Sequence, residues 1–280
     1  MTFEQFFRDS KSLPSLPTIF YELEKEIDHP RSTSDSIGAI LTNDPSLVSR
    51  LLALSNSAFY GFSRRVETIP NAIQLLGLKQ IRDLVMATAV MDSFRGISSD
   101  LLDMNQFWVH SIGCGVAAAS LAQEKSDPNP ERYFVGGLLH DIGRLAMLIK
   151  MPEEMSIVLT RHRETQVLNH LIEQEVIGFD HTMVGGRLVE QWKLPIALSE
   201  IVKHHHSPEK SLSASFETAV VHLSDILVHA LELGQSGETI VPNFSPMAWE
   251  RIGLDLNVLD KVMENTLTRT EQLCQIFIKK

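Results

Sequence analysis

The sequence predicts an all-α protein built as two helical lobes. Apolar residues recur with a helical period in almost every segment, and no strand-like alternation lasts beyond a few residues. Leu, Ile, Val, Ala and Met dominate a hydrophobic content of 44%, while aromatics supply 7%. Capping and stop signals punctuate the chain at helix-sized intervals. Its 280 residues are enough for a sizeable core in one large or two ordinary domains.

In chain order, residues 1–28 read as a short helix, the break Leu13-Pro14-Ser15-Leu16-Pro17, and a second helix from Thr18. Asp44 is placed to cap the next helix and Pro45 suits its first turn. Leu47, Leu51 and Leu54 then share one face, and Gly61 ends the unit. Thr68-Ile69-Pro70 opens a helix that stops at Leu76-Gly77, and another from about Lys79 carries Ile81, Leu84, Val85 and Val90. Periodicity lapses from Phe94 to Asp100, which sets an N-terminal lobe at 1–97 and a C-terminal lobe at 98–280. The second lobe is expected to hold helices over 101–124, 131–150, 153–176, 181–191, 195–206 and 214–233. A polar loop over 234–245 and a final helical pair over 246–278 follow, and the apolar tail from Leu273 to Ile278 either closes the core or docks a partner.

Charge and cysteine usage narrow the function. With 25 basic and 35 acidic residues the net charge is -10, a surface that repels phosphate backbones, so no nucleic-acid binding is expected. The short basic spots Arg64-Arg65 and Arg161-His162-Arg163 read as solvated faces. Two cysteines, Cys114 and Cys274, make no disulfide framework and point to a reducing cytoplasm. No apolar run approaches the roughly 20 residues that span a bilayer, and the N-terminus lacks the pattern of a signal peptide, so no membrane role is expected.

The chemistry starts at His140-Asp141, inside the apolar run from Gly136 to Gly143. Burying an imidazole with a carboxylate costs several kcal/mol unless something pairs them, and a divalent metal is a common partner. Adjacent helical side chains diverge by about 100°, so one ion using both must lie close to the backbone, beside Gly136 and Gly137. His110 lies among residues expected to be buried, where a satisfied core histidine is the simpler reading. His181 reads locally as a helix start capped by Asp180. His204-His205-His206 ends an apolar helix or forms a surface tract, and Asp225 is an acid in an apolar stretch that wants a cation. His222, Asp225 and His229 share one face as a rival cluster, although His229 reads more simply as an edge residue. His29, His162 and His170 read as exposed. Taken together, His110, His140, Asp141, His181, a neighbouring pair from His204-His205-His206, and Asp225 form a metal-type constellation. Imidazole and carboxylate donors suit Fe, Mn, Ni, Zn or Co, and seven ligands permit two ions that could clamp the oxygens of a phosphate ester.

The order His110, His140-Asp141, Asp225 resembles the HD superfamily of metal-dependent phosphohydrolases, and the added histidines resemble its HD-GYP branch. The fuller resemblance is to the HDOD family. It is carried by Leu13-Pro14-Ser15-Leu16-Pro17, Asn43-Asp44-Pro45-Ser46-Leu47, Ser55-Asn56-Ser57-Ala58 and Ala72-Ile73-Gln74-Leu75-Leu76-Gly77. In the second lobe it is carried by Gly137-Leu138-Leu139-His140-Asp141-Ile142-Gly143, Trp192-Lys193-Leu194-Pro195 and His205-His206-Ser207-Pro208, which favours His205 and His206 as the histidine pair. The resemblance implies a C-terminal HD-like helical bundle. One metal would sit at His110, His140, Asp141 and Asp225, and a second at His181, His205 and His206. Arg144 stands where hydrolytic relatives carry lysine and would stabilise phosphoryl oxygens, so Asp141 and Arg144 are the catalytic candidates. The Gly-Tyr-Pro of HD-GYP proteins is replaced by Ser207-Pro208-Glu209, so cyclic di-GMP hydrolysis is not expected. Two functions remain open: a hydrolase of a phosphoester or nucleotide, and a regulatory module in bacterial signalling with a structural metal and a protein partner.

Overall fold

The structure, a computed structural model, describes residues 1–8, 13–97 and 99–278, and these form helices with no strand among them. Residues 9–12, within the expected N-terminal helical stretch, and Ser98, at the expected lobe boundary, lie outside the described residues. The chain divides into two compact units, Met1–Pro14 with Gly96–Leu267, and Ser15–Arg95 with Thr268–Lys280. No described helix is long and apolar enough to cross a membrane.

The first helix, α1 (Phe3–Arg8), belongs to the larger unit. The smaller unit holds α2 (Thr18–Ile27), α3 (Ser34–Leu41), α4 (Pro45–Ser55), α5 (Ile69–Leu76) and α6 (Leu78–Ser93). Asp44 caps α4 by accepting from the Leu47 amide at 3.0 Å, and Thr68 caps α5 by accepting from Asn71. Leu47, Leu51 and Leu54 bury one face of α4, and Ile81, Leu84 and Val85 bury the matching face of α6. Asn56 clasps the chain after α4: its amide donates to the Val66 carbonyl at 2.8 Å and its oxygen accepts from the Val66 amide at 2.7 Å. The helix α3 was not foreseen from periodicity. A reciprocal cap starts it, with Thr33 and Ser36 each accepting from the other's backbone amide.

The larger unit continues with α7 (Met104–Glu124), α8 (Glu131–Leu139), α9 (Ile142–Lys150), α10 (Pro152–Thr165), α11 (Asn169–Val176), α12 (His181–Gln191) and α13 (Ile196–His204). A 3-10 turn (Pro208–Lys210) leads to α14 (Ser215–Ala230), α15 (Pro246–Ile252) and α16 (Val258–Phe277), the last of which runs on beyond Leu267. The core here gathers Leu121, Tyr133, Ile201, Val220, Val221 and Ile252. The helix α7 packs on α8 and α14, and α12 packs on α9 and α13.

Two expected helices are each interrupted. The stretch 153–176 breaks where Gln166 turns into the left-handed region (φ 56), and the His162 ring fastens the turn by donating from Nδ1 to the Val167 carbonyl at 2.7 Å. The stretch 131–150 breaks at His140 and Asp141, where Asp141 leaves helical geometry at φ -98, ψ 9. Neither Gly nor Pro sits at the second break. Its position follows from glycines on either side that let neighbouring backbones approach. A Cβ on Gly137 would lie 2.5 Å from the Cys114 carbonyl oxygen of α7, and one on Gly143 would lie 2.0 Å from the His181 carbonyl oxygen at the start of α12. Backbone cannot yield as a flexible side chain can, so Gly143→Ala is expected to push α9 from α12 and cost about 3 kcal/mol or more. Chemical denaturation of the variant checks this; a midpoint equal to wild type would contradict the close approach.

Candidate metal centre

The break after α8 sends two consecutive side chains to two donor groups. One group gathers His110, Cys114, His140 and Asp225; the other gathers Asp141, His181, His205 and His206, and within each the nearest donor atoms all lie within 4.8 Å of one another. All seven residues singled out as ligands in the sequence are therefore brought together, from α7, the α8–α9 break, α12, the end of α13 and α14. His204 is not: it lies partly exposed, 3.9 Å from Glu200.

Hydrogen bonds fix which ring nitrogen faces the centre. His140 donates from Nδ1 to the Gly137 carbonyl at 2.7 Å, and His205 donates from Nδ1 to the Val202 carbonyl at 2.9 Å. A carbonyl only accepts, so Nδ1 carries a proton and Nε2 is the nitrogen turned to the centre. For His140, burial opposes charge, but Asp141 and Asp225 outweigh it and raise the ring above the ordinary histidine value. Both Nε2 atoms are buried and have no hydrogen-bond partner. A histidine anchored through one ring nitrogen with the other turned to the centre is the arrangement metal ligands adopt. The donor set thus fits a divalent metal.

His181 is held differently. Its backbone amide and its Nδ1 both donate to Glu173 Oε2, at 2.8 and 2.6 Å, while Nε2 faces Asp141 Oδ1 at 3.1 Å and His206 Nε2 at 3.2 Å. Burial opposes charge on this ring, but Glu173 and Asp141 outweigh burial and hold it up at about 10. Asp141 and Asp225 are also buried. Arg144, His140 and His181 hold the first well below the usual carboxylate range, and His229, His110 and His140 hold down the second. Burial pushes His110 down to about 4, and it drives His205 and His206, with help from neighbouring imidazoles, well below the ordinary histidine value.

Arg144 lies at 2% exposure beside this centre. Its NH2 is 3.4 Å from Asp141 Oδ1 and nearly equidistant from the two ring nitrogens of His181, at 3.5 and 3.4 Å. That geometry lays the guanidinium over the imidazole face. Nε and NH1 of Arg144 are buried without hydrogen-bond partners. The rim is formed by His206 and His170, both partly exposed, with rings stacked at a 4.2 Å centroid separation.

Several participants escape the sequence reading. His229 is no edge residue, because its Nε2 lies 3.2 Å from Asp225 Oδ1; its spacing of four from Asp225 was the available signal. Cys114, four residues after His110, had the same signal. Glu173 had none. His162 was expected to be exposed and is fully buried, accepting at Nε2 from the Thr239 amide at 2.9 Å. The rival cluster dissolves: His222 donates from Nδ1 to the His205 carbonyl at 2.7 Å and accepts at Nε2 from the Ser245 amide at 3.1 Å, so both its nitrogens are committed to structure.

Comparison with known proteins places this arrangement. The model of the HDOD domain family matches residues 13–208. An uncharacterized protein of Treponema pallidum (strain Nichols) is 26% identical over 196 residues, which cover 70% of this chain and 38% of that curated relative's own length. Among solved structures, an HDOD domain protein with unknown function from Geobacter sulfurreducens is similar at TM-score 0.80 and 24% identity over 98% of both chains. A "putative phosphohydrolase" from Shewanella amazonensis SB2B is similar at TM-score 0.77 and 22% identity over 97% of both. At these identities the two structures establish a shared fold.

The shifted histidines make the metal-free protein sensitive to pH in both directions. In the unfolded chain each histidine takes up a proton near 6.5, whereas folded His110 and His170 resist it down to about 4. Their contribution is whole above about 6.5 and is lost as pH falls through about 4. His181 has the opposite sign: its contribution is whole below about 6.5 and is lost as pH rises through about 10. Thermal melts of metal-stripped protein should therefore peak near neutral pH and decline on both sides; a flat profile would contradict the assignment.

Proposed function

The chain belongs to the HDOD domain family, and from its buried donor centre we propose that it is a metal-dependent phosphohydrolase acting on a phosphoester or nucleotide in a bacterial signalling pathway. The Nε2 atoms of His140 and His205, buried without a hydrogen bond and turned to carboxylates at 3.5–3.8 Å, carry this reading. The phosphohydrolase name of the Shewanella neighbour supports it as well. Two ions suit the two donor groups, drawn from Fe, Mn, Ni, Zn or Co, which accept imidazole with carboxylate. Asp141 would help hold both, since Oδ2 lies 3.5 Å from His140 Nε2 while Oδ1 lies 3.1 Å from His181 Nε2.

Bound metal would supply Lewis acidity toward phosphoryl oxygens and lower the pKa of an attacking water. The chain supplies the rest. Glu173 fixes the His181 tautomer and ring plane through Nδ1. The Gly137 and Val202 carbonyls do the same for His140 and His205. Arg144 offers the unpartnered Nε and NH1 to phosphoryl oxygens, a charge that burial makes more effective than it is in water.

One observation favours the second reading, a regulatory module with a structural metal. His110, His140, His181 and His205 are all at 0% exposure, as structural sites tend to be. The same preparation separates the two. Elemental analysis should find transition metal, and phosphate release from generic and nucleotide esters should appear with Mn, Fe or Ni added. Metal without turnover of any ester leaves the module reading; metal at background sinks both. Asp141→Ala should lose metal and lower the melting temperature. Arg144→Ala should keep metal and lower kcat/KM by about 100-fold.

A further inference from the structure

We propose that Cys114 is a metal ligand, its thiolate completing a four-donor site with His110, His140 and Asp225 and selecting a thiolate-tolerant ion such as zinc, ferrous iron or cobalt. The inference rests on the metal-dependent reading above and deepens it.

The geometry of the donor group carries the argument. Cys114 follows His110 by one helical turn on α7, and both side chains enter the centre at 0% exposure. Its Sγ lies 3.5 Å from His110 Nε2 and 4.0 Å from Asp225 Oδ1. The His110 Nε2 to Asp225 Oδ1 distance is 3.2 Å, and His140 Nε2 to Asp225 Oδ1 is 3.7 Å. A tetrahedral ion with bonds of about 2.3 Å to sulfur and about 2.0–2.1 Å to nitrogen or oxygen needs donor-to-donor edges of roughly 3.3–3.6 Å. These four edges bracket that range, and the other two lie within 4.8 Å.

A second observation is independent of the cysteine. His140 Nε2, buried and without a hydrogen bond, belongs to the same group and is turned into it. Cys114 packs with Ala117 and Val228, so its sulfur lies where the apolar core meets the donor group. Coordination displaces the thiol proton to solvent and leaves the sulfur as an anionic donor. With Asp225 that gives two negative ligands against one divalent cation. Sulfur also disfavours magnesium and calcium, which take oxygen ligands.

Cobalt(II) reports sulfur directly through a thiolate-to-metal charge-transfer band in the near ultraviolet, apart from the visible bands that any bound cobalt gives. Full-length protein is stripped, reloaded with cobalt and compared with Cys114→Ser, Cys114→Ala and Cys274→Ser. The band is expected in wild type and Cys274→Ser and absent from both Cys114 variants. Zinc affinity by chelator competition should fall at least about tenfold in the Cys114 variants. Cobalt that binds wild type without the band, or a band that survives in the Cys114 variants, overturns the ligand assignment and leaves the metal reading standing. No cobalt or zinc uptake at all overturns both. X-ray absorption on zinc-loaded Cys274→Ser, which retains Cys114, needs no altered centre: a sulfur shell at about 2.3 Å supports the proposal and an all nitrogen and oxygen shell refutes it.

Discussion

The turn that interrupts the helical run at His140 and Asp141 is the constraint on which the rest of the centre depends. In an unbroken helix these neighbours would diverge by about 100° and could not both serve a compact cluster. Because Asp141 leaves helical geometry, His140 joins the group around Asp225 and Asp141 joins the group around His181. The carboxylate ends up between the two groups, within 3.5 Å of an imidazole on each side. The glycines that flank the turn hold it in register by backbone contact with α7 and α12, so its position is set by main chain and not by adjustable side chains.

Electrostatics then decide which rings carry charge. Glu173 and Asp141 together keep His181 protonated, whereas His110, His205 and His206 lack enough negative charge nearby to offset burial and stay neutral. Without an ion, Arg144, His140 and His181 are the positive groups set against Asp141. A metal entering this group competes with a proton at His181 Nε2, which couples occupancy to pH. Arg144 stays a cation throughout, since a guanidinium does not deprotonate in this range.

Much of this was legible in the chain. Asp44, Thr68 and Asp180 signalled helix starts because a short acceptor side chain before an apolar run has one strong local use. His140, Asp141 and Asp225 stood out as polar residues in apolar settings, whereas His110 and His181 read locally as structural and the pair His205 and His206 was chosen by the family pattern. What the chain hid was any feature that only tertiary packing decides. Periodicity ran straight through 131–150 because both α8 and α9 bury apolar residues on either side of the turn. Glu173 carried no signal of its own, and α11 brings its carboxylate to His181 Nδ1 at 2.6 Å. Exposure of His162 and His170 was inferred from charged neighbours in sequence, which says nothing about the face that each ring takes.

The enclosure of the centre has a kinetic side. Its donors come from separate helices packed on one another, and most have no contact with solvent. An ion held there could leave only when the unit opens locally, so its residence time would follow the breathing of the helices and not the strength of any one bond. Occupancy would then preserve a history: the ion present when the helices closed would stay, even after its concentration outside had changed.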